Sequence, residues 1–140
     1  MIKLDQIVIL VVDDDDEIRK LMIEYLTHFG FRNFLQSKNG TEAYRLLADE
    51  TQQVDLIISD WEMPQTDGLT LLRAVRGHRV RQETPFIFVT SQQSNEREKI
   101  VFAKKYHVDA YIVKPFRSQT MREKVFQVLF AAEEKMKKPA

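Results

Sequence analysis

The sequence predicts an α/β protein of one domain, a five-stranded parallel sheet with helices on both faces. Two observations carry this. Five short, continuous apolar runs recur along the 140 residues, and segments with helical spacing follow each of them. Strict alternation of the two patterns leads to parallel pairing through right-handed crossovers, which leaves helices on both sides of the sheet. The length suits one core, since a chain of this size buries roughly 70% of its unfolded surface.

The elements follow in order. "IVILVV" at residues 7–12 is a continuous apolar run, as expected of a strand buried on both faces. It runs into four consecutive aspartates, Asp13 to Asp16, and a helix near 16–29. Asp15 or Asp16 is expected to cap that helix, and Glu17 adds favourable charge at its positive end. "FLQ" is the second strand, and Asn39-Gly40 marks entry to a helix near 41–50. "LIIS" is the third, followed by a loop with Pro64 and by Asp67-Gly68 opening a helix near 67–77. Pro85 precedes the fourth, "FIFVT", and Asn95 with Glu98 has capping-box spacing for a helix near 95–106. "AYIV" is the fifth, with Pro115 between it and a last helix near 118–135. All five strands read as buried on both faces. Residues 1–6 and about 136–140 are expected to be flexible termini, and no output domain is expected.

Composition narrows the function. No apolar run approaches the roughly 20 residues of a membrane span, and the N-terminus MIKLDQ lacks a basic segment followed by an apolar one, so a cytoplasmic protein without membrane insertion is expected. Zero cysteines exclude a disulfide framework and Cys-ligated zinc or iron-sulfur sites. Residues 1–72 carry 6 Lys and Arg against 14 Asp and Glu, and residues 73–140 carry 15 against 7, yet the whole chain is neutral. Overall neutrality, with no helix-turn-helix segment or basic stripe, argues against direct nucleic-acid binding. The three histidines, among them His28 and His78, show neither HExxH nor i, i+4 spacing.

In sheets of this kind ligands sit beyond the carboxyl ends of the strands. There the first strand delivers Asp13 and Asp14, the third Asp60, the fourth Thr90 and the fifth Lys114. Each alone has a bland explanation as a turn, cap or solvated residue; together they form a constellation. Two carboxylates at about 4 Å oppose each other by roughly 4 kcal/mol at an effective dielectric near 20, so a cation is needed to neutralise them. Hard oxygen donors suit Mg²⁺, which keeps several waters and takes phosphate oxygens as further ligands. An aspartate can serve as nucleophile towards phosphorus, with a Lys and a hydroxyl on the other phosphoryl oxygens. Asp60, Lys114 and Thr90 match those roles. A phosphatase using Asp14-x-Asp16 would leave Asp60 without purpose, and a nucleotide hydrolase lacks its GxxxxGK loop. A docking module of the same fold that is never phosphorylated is the remaining competitor.

The motifs "ILVVDDD", "LIISDWEMPQTDGLTLL", "FIFVTS" and "AYIVKPF", in this order and spacing, resemble the receiver domain of two-component response regulators, in particular its stand-alone, CheY-like members. The resemblance runs from about Ile7 to Leu129. It implies a flavodoxin-like three-layer (βα)5 sandwich with strand order 2-1-3-4-5. It implies Asp60 as phosphoacceptor, with Mg²⁺, or Mn²⁺ in its place, held by Asp13, Asp14, Asp60 and the backbone carbonyl of Glu62. Thr90 would bond the phosphoryl oxygen, Lys114 would pair with it across a cis Lys114-Pro115 bond, and Tyr111 would be the aromatic switch. The implied donor is a sensor histidine kinase or histidine phosphotransfer protein, with small acyl phosphates as substitutes, and the implied output is control of a downstream protein. Such a domain catalyses only its own phosphorylation and dephosphorylation and is not otherwise an enzyme.

Some positions depart from the family pattern. His107 stands where a Gly is usual, so the helix exit either accepts a left-handed non-Gly residue or takes another path. The stretch from Thr90 to Lys114 is about two residues longer than in stand-alone members, a change expected in the fourth helix or the loop before it. Glu62 and Gln92 occupy the positions that tune dephosphorylation, where Glu62 either positions the attacking water or repels it. Trp61, expected to be partly exposed, would report metal binding by its fluorescence. On the last helix Phe126 and Phe130 fall roughly 100–160° from the centre of the core stripe. They either pack under a neighbouring loop or, with Ile100, Lys104 and Lys105, form a partner or homodimer face made by the fourth helix, fifth strand and fifth helix.

Overall fold

The computed structural model describes residues 2–63, 67–91 and 96–137, of which 96–99 by backbone alone. The elements alternate as expected: β1 (Val8–Val12), α1 (Asp16–Phe29), β2 (Asn33–Ser37), α2 (Gly40–Ala48), β3 (Leu56–Asp60), α3 (Gly68–Gly77), β4 (Phe86–Ser91), α4 (Glu96–Lys105), β5 (Ala110–Lys114) and α5 (Ser118–Lys137). All pairings are parallel, in the order β2-β1-β3-β4-β5. This is the flavodoxin-like arrangement.

The period of two along each strand divides the core into two layers. Ile9, Val11, Leu56, Ile58, Ile87, Val89 and Ile112 face Met22 and Leu26 of α1 and Met121, Val125, Val128 and Leu129 of α5. Leu10, Val12, Ile57, Phe86 and Phe88 face Leu47 of α2, Leu71, Leu72 and Val75 of α3 and Ala103 of α4. The central strands are thus covered on both sides. The outer strands are not: Asn33 and Gln36 of β2 are exposed, and β5 is mostly half-buried. The expectation of five doubly buried strands is corrected for these two, because strand order, which apolar runs do not encode, puts them at the edges.

Helix entries are capped by side chains. Asp15 accepts from the N–H groups of Glu17 and Ile18, Asn39 from Glu42 and Asp67 from Thr70. This selects Asp15, not Asp16, as the first cap. The proposed Asn95–Glu98 box lies outside the described side chains. Two arginines of the basic stretch 76–82 act as internal staples. Arg81, 4% exposed, donates to the carbonyls of Leu47, Asp49 and Gln52 and so satisfies the end of α2. Arg76 donates to the carbonyls of Gln82, Thr84, Tyr106 and His107 and pairs with Asp109 at 3.2 Å. It thereby braces the α4–β5 turn, where His107 adopts φ 58°. The left-handed option is the one realised.

The N-terminal segment packs against the rest of the fold. Leu4–Gln6 forms a 3-10 turn, and Ile2 and Leu4 pack on the core. A Cβ on Gly30, which ends α1 at φ 115°, would sit 2.9 Å from Leu4 Cδ1. A glycine serves both the left-handed turn and this approach. At the other end α5 continues to Lys137, closed by a Glu133–Lys137 pair at 3.0 Å.

Candidate functional site

The carboxyl ends of β1 and β3 bring three acids together. One carboxylate oxygen each from Asp13, Asp14 and Asp60 lies within 4.8 Å of the others. Asp13 and Asp60 are buried, whereas Asp14 is exposed and gives the cluster its opening to water. Hydrogen bonds fix the turn that presents them. Asp13 Oδ1 accepts from the Asp15 N–H at 2.9 Å, and the Asp13 N–H donates to the Ser37 carbonyl at 3.1 Å.

Arg19 is a site residue that sequence reasoning missed. Its side chain is 10% exposed; it donates to the Asp13 carbonyl at 2.7 Å and to Gln36 Oε1 at 3.0 Å, and it pairs with Asp16. The spacing Asp16-x-x-Arg19 on a helix was the available signal. The aspartate quartet therefore divides its labour: Asp13 and Asp14 face the cleft, Asp15 caps α1, and Asp16 neutralises the guanidinium that braces the Asp13 backbone.

Asp60 ends β3 at 3% exposure. Behind it Trp61 turns inward, its ring 4.4 Å from Phe88, and the Trp61 N–H donates to the Val89 carbonyl at 3.0 Å. At 7% exposure Trp61 is buried, correcting the expected partial exposure. Gly68 closes the loop by donating to the Trp61 carbonyl at 2.9 Å, and a Cβ there would lie 2.6 Å from the Asp60 carbonyl oxygen. The glycine is required by this close approach.

Lys114, at the end of β5, reaches both acids: Nζ lies 3.4 Å from Asp13 Oδ2 and 3.2 Å from Asp60 Oδ1. The second contact is close enough for charge pairing but poorly aligned, so Asp60 Oδ1 is buried without a hydrogen bond among the described residues. Burial raises Asp60, from the ordinary 3.8 to about 7, with the neighbouring charges of Asp13 and Glu62 adding to the rise and Lys114 opposing it. Asp13 is raised as well, by burial above all, against the Asp15 N–H and Lys114. Burial works against charge on Lys114, but Asp60 and Asp13 together push its pKa upward. Excess negative charge thus remains in a desolvated cleft, which fits a hard cation with oxygen ligands.

Thr90, at the end of β4 and 3% exposed, donates from Oγ1 to Glu62 Oε1 at 3.0 Å. On β5, Tyr111 pairs in register with Phe88, is half-buried with its ring 6.5 Å from that of Phe88, and its hydroxyl donates to the Ile100 carbonyl of α4 at 3.1 Å. Lys114-Pro115 is cis. Gln92 lies outside the described residues.

With this geometry in place, comparison with known proteins is decisive. The model of the response regulator receiver domain matches residues 9–126. The chain belongs to that family. The receiver is 36% identical over 121 residues to a chemotaxis protein CheY homolog of Campylobacter jejuni, covering 86% of this chain and 91% of that one. It is 35% identical to chemotaxis protein CheY1 of Helicobacter pylori, with 86% and 95% covered. Among solved structures it resembles the chemotaxis response regulator CheY4 of Vibrio cholerae, with TM-score 0.76, 29% identity, and 88% and 98% of the two chains covered. A CheY-like receiver domain protein of Methanospirillum hungatei gives TM-score 0.80 at 27% identity, covering 92% and 98%. The receiver is a two-component signalling protein whose acidic cluster can hold a metal ion. Among the described residues no helix is long and apolar enough to cross a membrane.

The residues expected to share a partner face divide into two sets. Lys104 and Lys105 are exposed on α4 and Ile100 is half-buried there; the structure adds exposed Val101 and Phe102, at 67% and 49%. Phe126 and Phe130 are elsewhere. Phe126 stacks 5.6 Å from Phe31, which follows α1, and Phe130 lies 6.1 Å from Phe126. With Ile2, Leu4, Glu133 and Glu134 they line a hollow of about 310 Å³. Their assignment to the α4-β5-α5 face is corrected: an angle away from the core stripe does not say which way the helix is turned, and packing against α1 turns these two towards the N-terminal segment.

Proposed function

We propose that the receiver accepts a phosphoryl group on Asp60 in a Mg²⁺-dependent reaction and uses it to switch a partner-binding surface. The observation that carries this is the convergence of Asp13, Asp14 and Asp60 within 4.8 Å, with Lys114 Nζ 3.2 Å from Asp60. Asp13, Asp14, Asp60 and the backbone carbonyl of Glu62 would hold the ion. It would supply charge neutralisation for a carboxylate and a phosphoryl group brought together.

The residues of the chain do the rest. An Asp60 carboxylate oxygen attacks phosphorus, an O–P bond forms, and the P–N bond to a donor histidine breaks with its electron pair leaving on the imidazole. Lys114 pairs with one phosphoryl oxygen and Thr90 donates to another. Hydrolysis reverses the state: water attacks the same phosphorus, the Asp60 O–P bond breaks to restore the carboxylate, and inorganic phosphate leaves. Turnover of any other substrate is not part of this reading. The donor class is a sensor histidine kinase or histidine phosphotransfer protein. The output face is α4-β5-α5, supported by the Tyr111–Ile100 bond that ties β5 to α4 and by exposed Val101, Phe102, Lys104 and Lys105.

The test is incubation with acetyl phosphate and Mg²⁺, read by intact mass. Gain of one phosphoryl group, abolished by EDTA and by Asp60→Asn, supports the assignment. No gain, or gain by the Asn variant, refutes it.

A further inference from the structure

Glu62 carries more than a position on the loop after β3. We propose that it is a positioning residue for phosphoryl transfer: in the unmodified receiver its carboxylate holds the Thr90 hydroxyl, and modification of Asp60 must take that hydroxyl from it. This rests on the reading of Asp60 as phosphoacceptor.

Thr90 Oγ1 has two acceptors within reach, Glu62 Oε1 at 3.0 Å and the Ser91 carbonyl at 3.4 Å, and the nearer and charged one is the carboxylate; Thr90 itself is buried at 3% exposure. A threonine hydroxyl has one proton, so it cannot donate to Glu62 and to a phosphoryl oxygen together. Both acceptors are anionic, so the bond given up is of the strong, charge-assisted kind. Glu62 thus occupies the donor that the phosphorylated state needs.

The placement is built into the fold. β3 and β4 pair Asp60 with Val89, so Thr90 is the next residue beyond that pair. Trp61, buried against Phe88 and bonded through its N–H to the Val89 carbonyl, fixes the start of the loop beside β4. Glu62 follows directly and meets Thr90 from the neighbouring strand end. An arriving phosphoryl group, carrying about two negative charges, repels the Glu62 carboxylate as it attracts the hydroxyl. Release of Glu62 and capture of Thr90 are then one exchange. Because Thr90 lies in the register beside Val113 of β5, two residues from Tyr111, the same exchange is positioned to reach α4.

A simpler role would be repulsion of the incoming anion by Glu62 with no help from Thr90. A double-mutant cycle separates the two, with beryllofluoride and Mg²⁺ as the phosphoryl mimic and calorimetry and Trp61 fluorescence as readouts. Glu62→Ala is expected to tighten beryllofluoride binding by about tenfold when Thr90 is present, the worth of one hydrogen bond to a charged group. In a Thr90→Val background the same substitution should have a clearly smaller effect. Glu62→Gln, which keeps an acceptor oxygen without the charge, should fall between wild type and Glu62→Ala. Equal factors in the two backgrounds overturn the proposal, as does unchanged affinity in Glu62→Ala. Wild-type protein that fails to bind beryllofluoride, or an Asp60→Asn variant that binds it normally, sinks the underlying assignment of Asp60 instead.

Discussion

Replacing Asp60 by Asn should stabilise the metal-free protein above neutral pH, although it deletes the residue on which the chemistry depends. Asp60 is raised from 3.8 to about 7. At 1.36 kcal/mol per pKa unit, the cost of holding it ionised is at most about 4 kcal/mol. Water reaches the cleft on the Asp14 side and screens part of this, so a gain of about 2 kcal/mol is expected for the neutral side chain. Between pH 3.8 and about 7 the native state binds a proton that the unfolded chain has lost. Stability from this group therefore falls as pH rises through that window and is lowest above it. Asp13, raised for the same reason, titrates with Asp60 as a coupled pair. In EDTA, urea unfolding should show Asp60→Asn more stable than wild type at pH 8, with the gap closing towards pH 5. The midpoint of thermal unfolding should shift by roughly 5–10 °C at pH 8. Mg²⁺ at about 100 times its Kd should then add about 2.7 kcal/mol to wild type and clearly less to the variant. Equal stability of the two proteins at pH 8 in EDTA would refute the reasoning, because the acid cluster would then carry no desolvated excess charge.

Three further outcomes are expected. Gly68→Ala should cost about 1–3 kcal/mol in urea unfolding, since its Cβ would press on the Asp60 carbonyl and the Phe88 ring at 2.6 and 2.7 Å, and should slow labelling by acetyl phosphate. Arg19→Gln should lose about 1–3 kcal/mol of stability by leaving the Asp13 carbonyl unpaired, and weaken Mg²⁺ binding in calorimetry; intact metal affinity would show that the guanidinium does not shape the site. His107→Gly should stabilise the fold by about 0.5–1 kcal/mol and so raise the unfolding midpoint, because φ 58° is costly for a residue with a Cβ; a lower midpoint would mean that the imidazole makes a contact worth more than the strain.

Much of the site was readable before the fold because each of its groups terminates an apolar run. A buried parallel strand is apolar along most of its length, so the polar residue that ends the run stands at the sheet edge; Asp13, Thr90 and Lys114 are placed by that rule, and Asp60 one residue beyond the buried Ser59. Arg19 escaped because an arginine on the first turns of a helix looks solvated; only its approach to the Asp13 carbonyl shows otherwise. Arg76 and Arg81 hid in a basic stretch for the same reason. The Thr90–Glu62 bond joins residues 28 apart and depends on the pairing of β3 with β4, which no local pattern encodes.

The amino-acid sequence by itself determined the alternation of strands and helices, where most helices begin, and the convergence of acids, hydroxyl and lysine at one edge, because these follow from local periodicity and from where polar residues interrupt it. Tertiary structure alone decided which strands lie at the edges, which way Phe126 and Phe130 turn, and which acceptor holds Thr90. Those outcomes depend on how helices rotate against the sheet and how distant strand ends register, and such energies arise only when the elements are packed together.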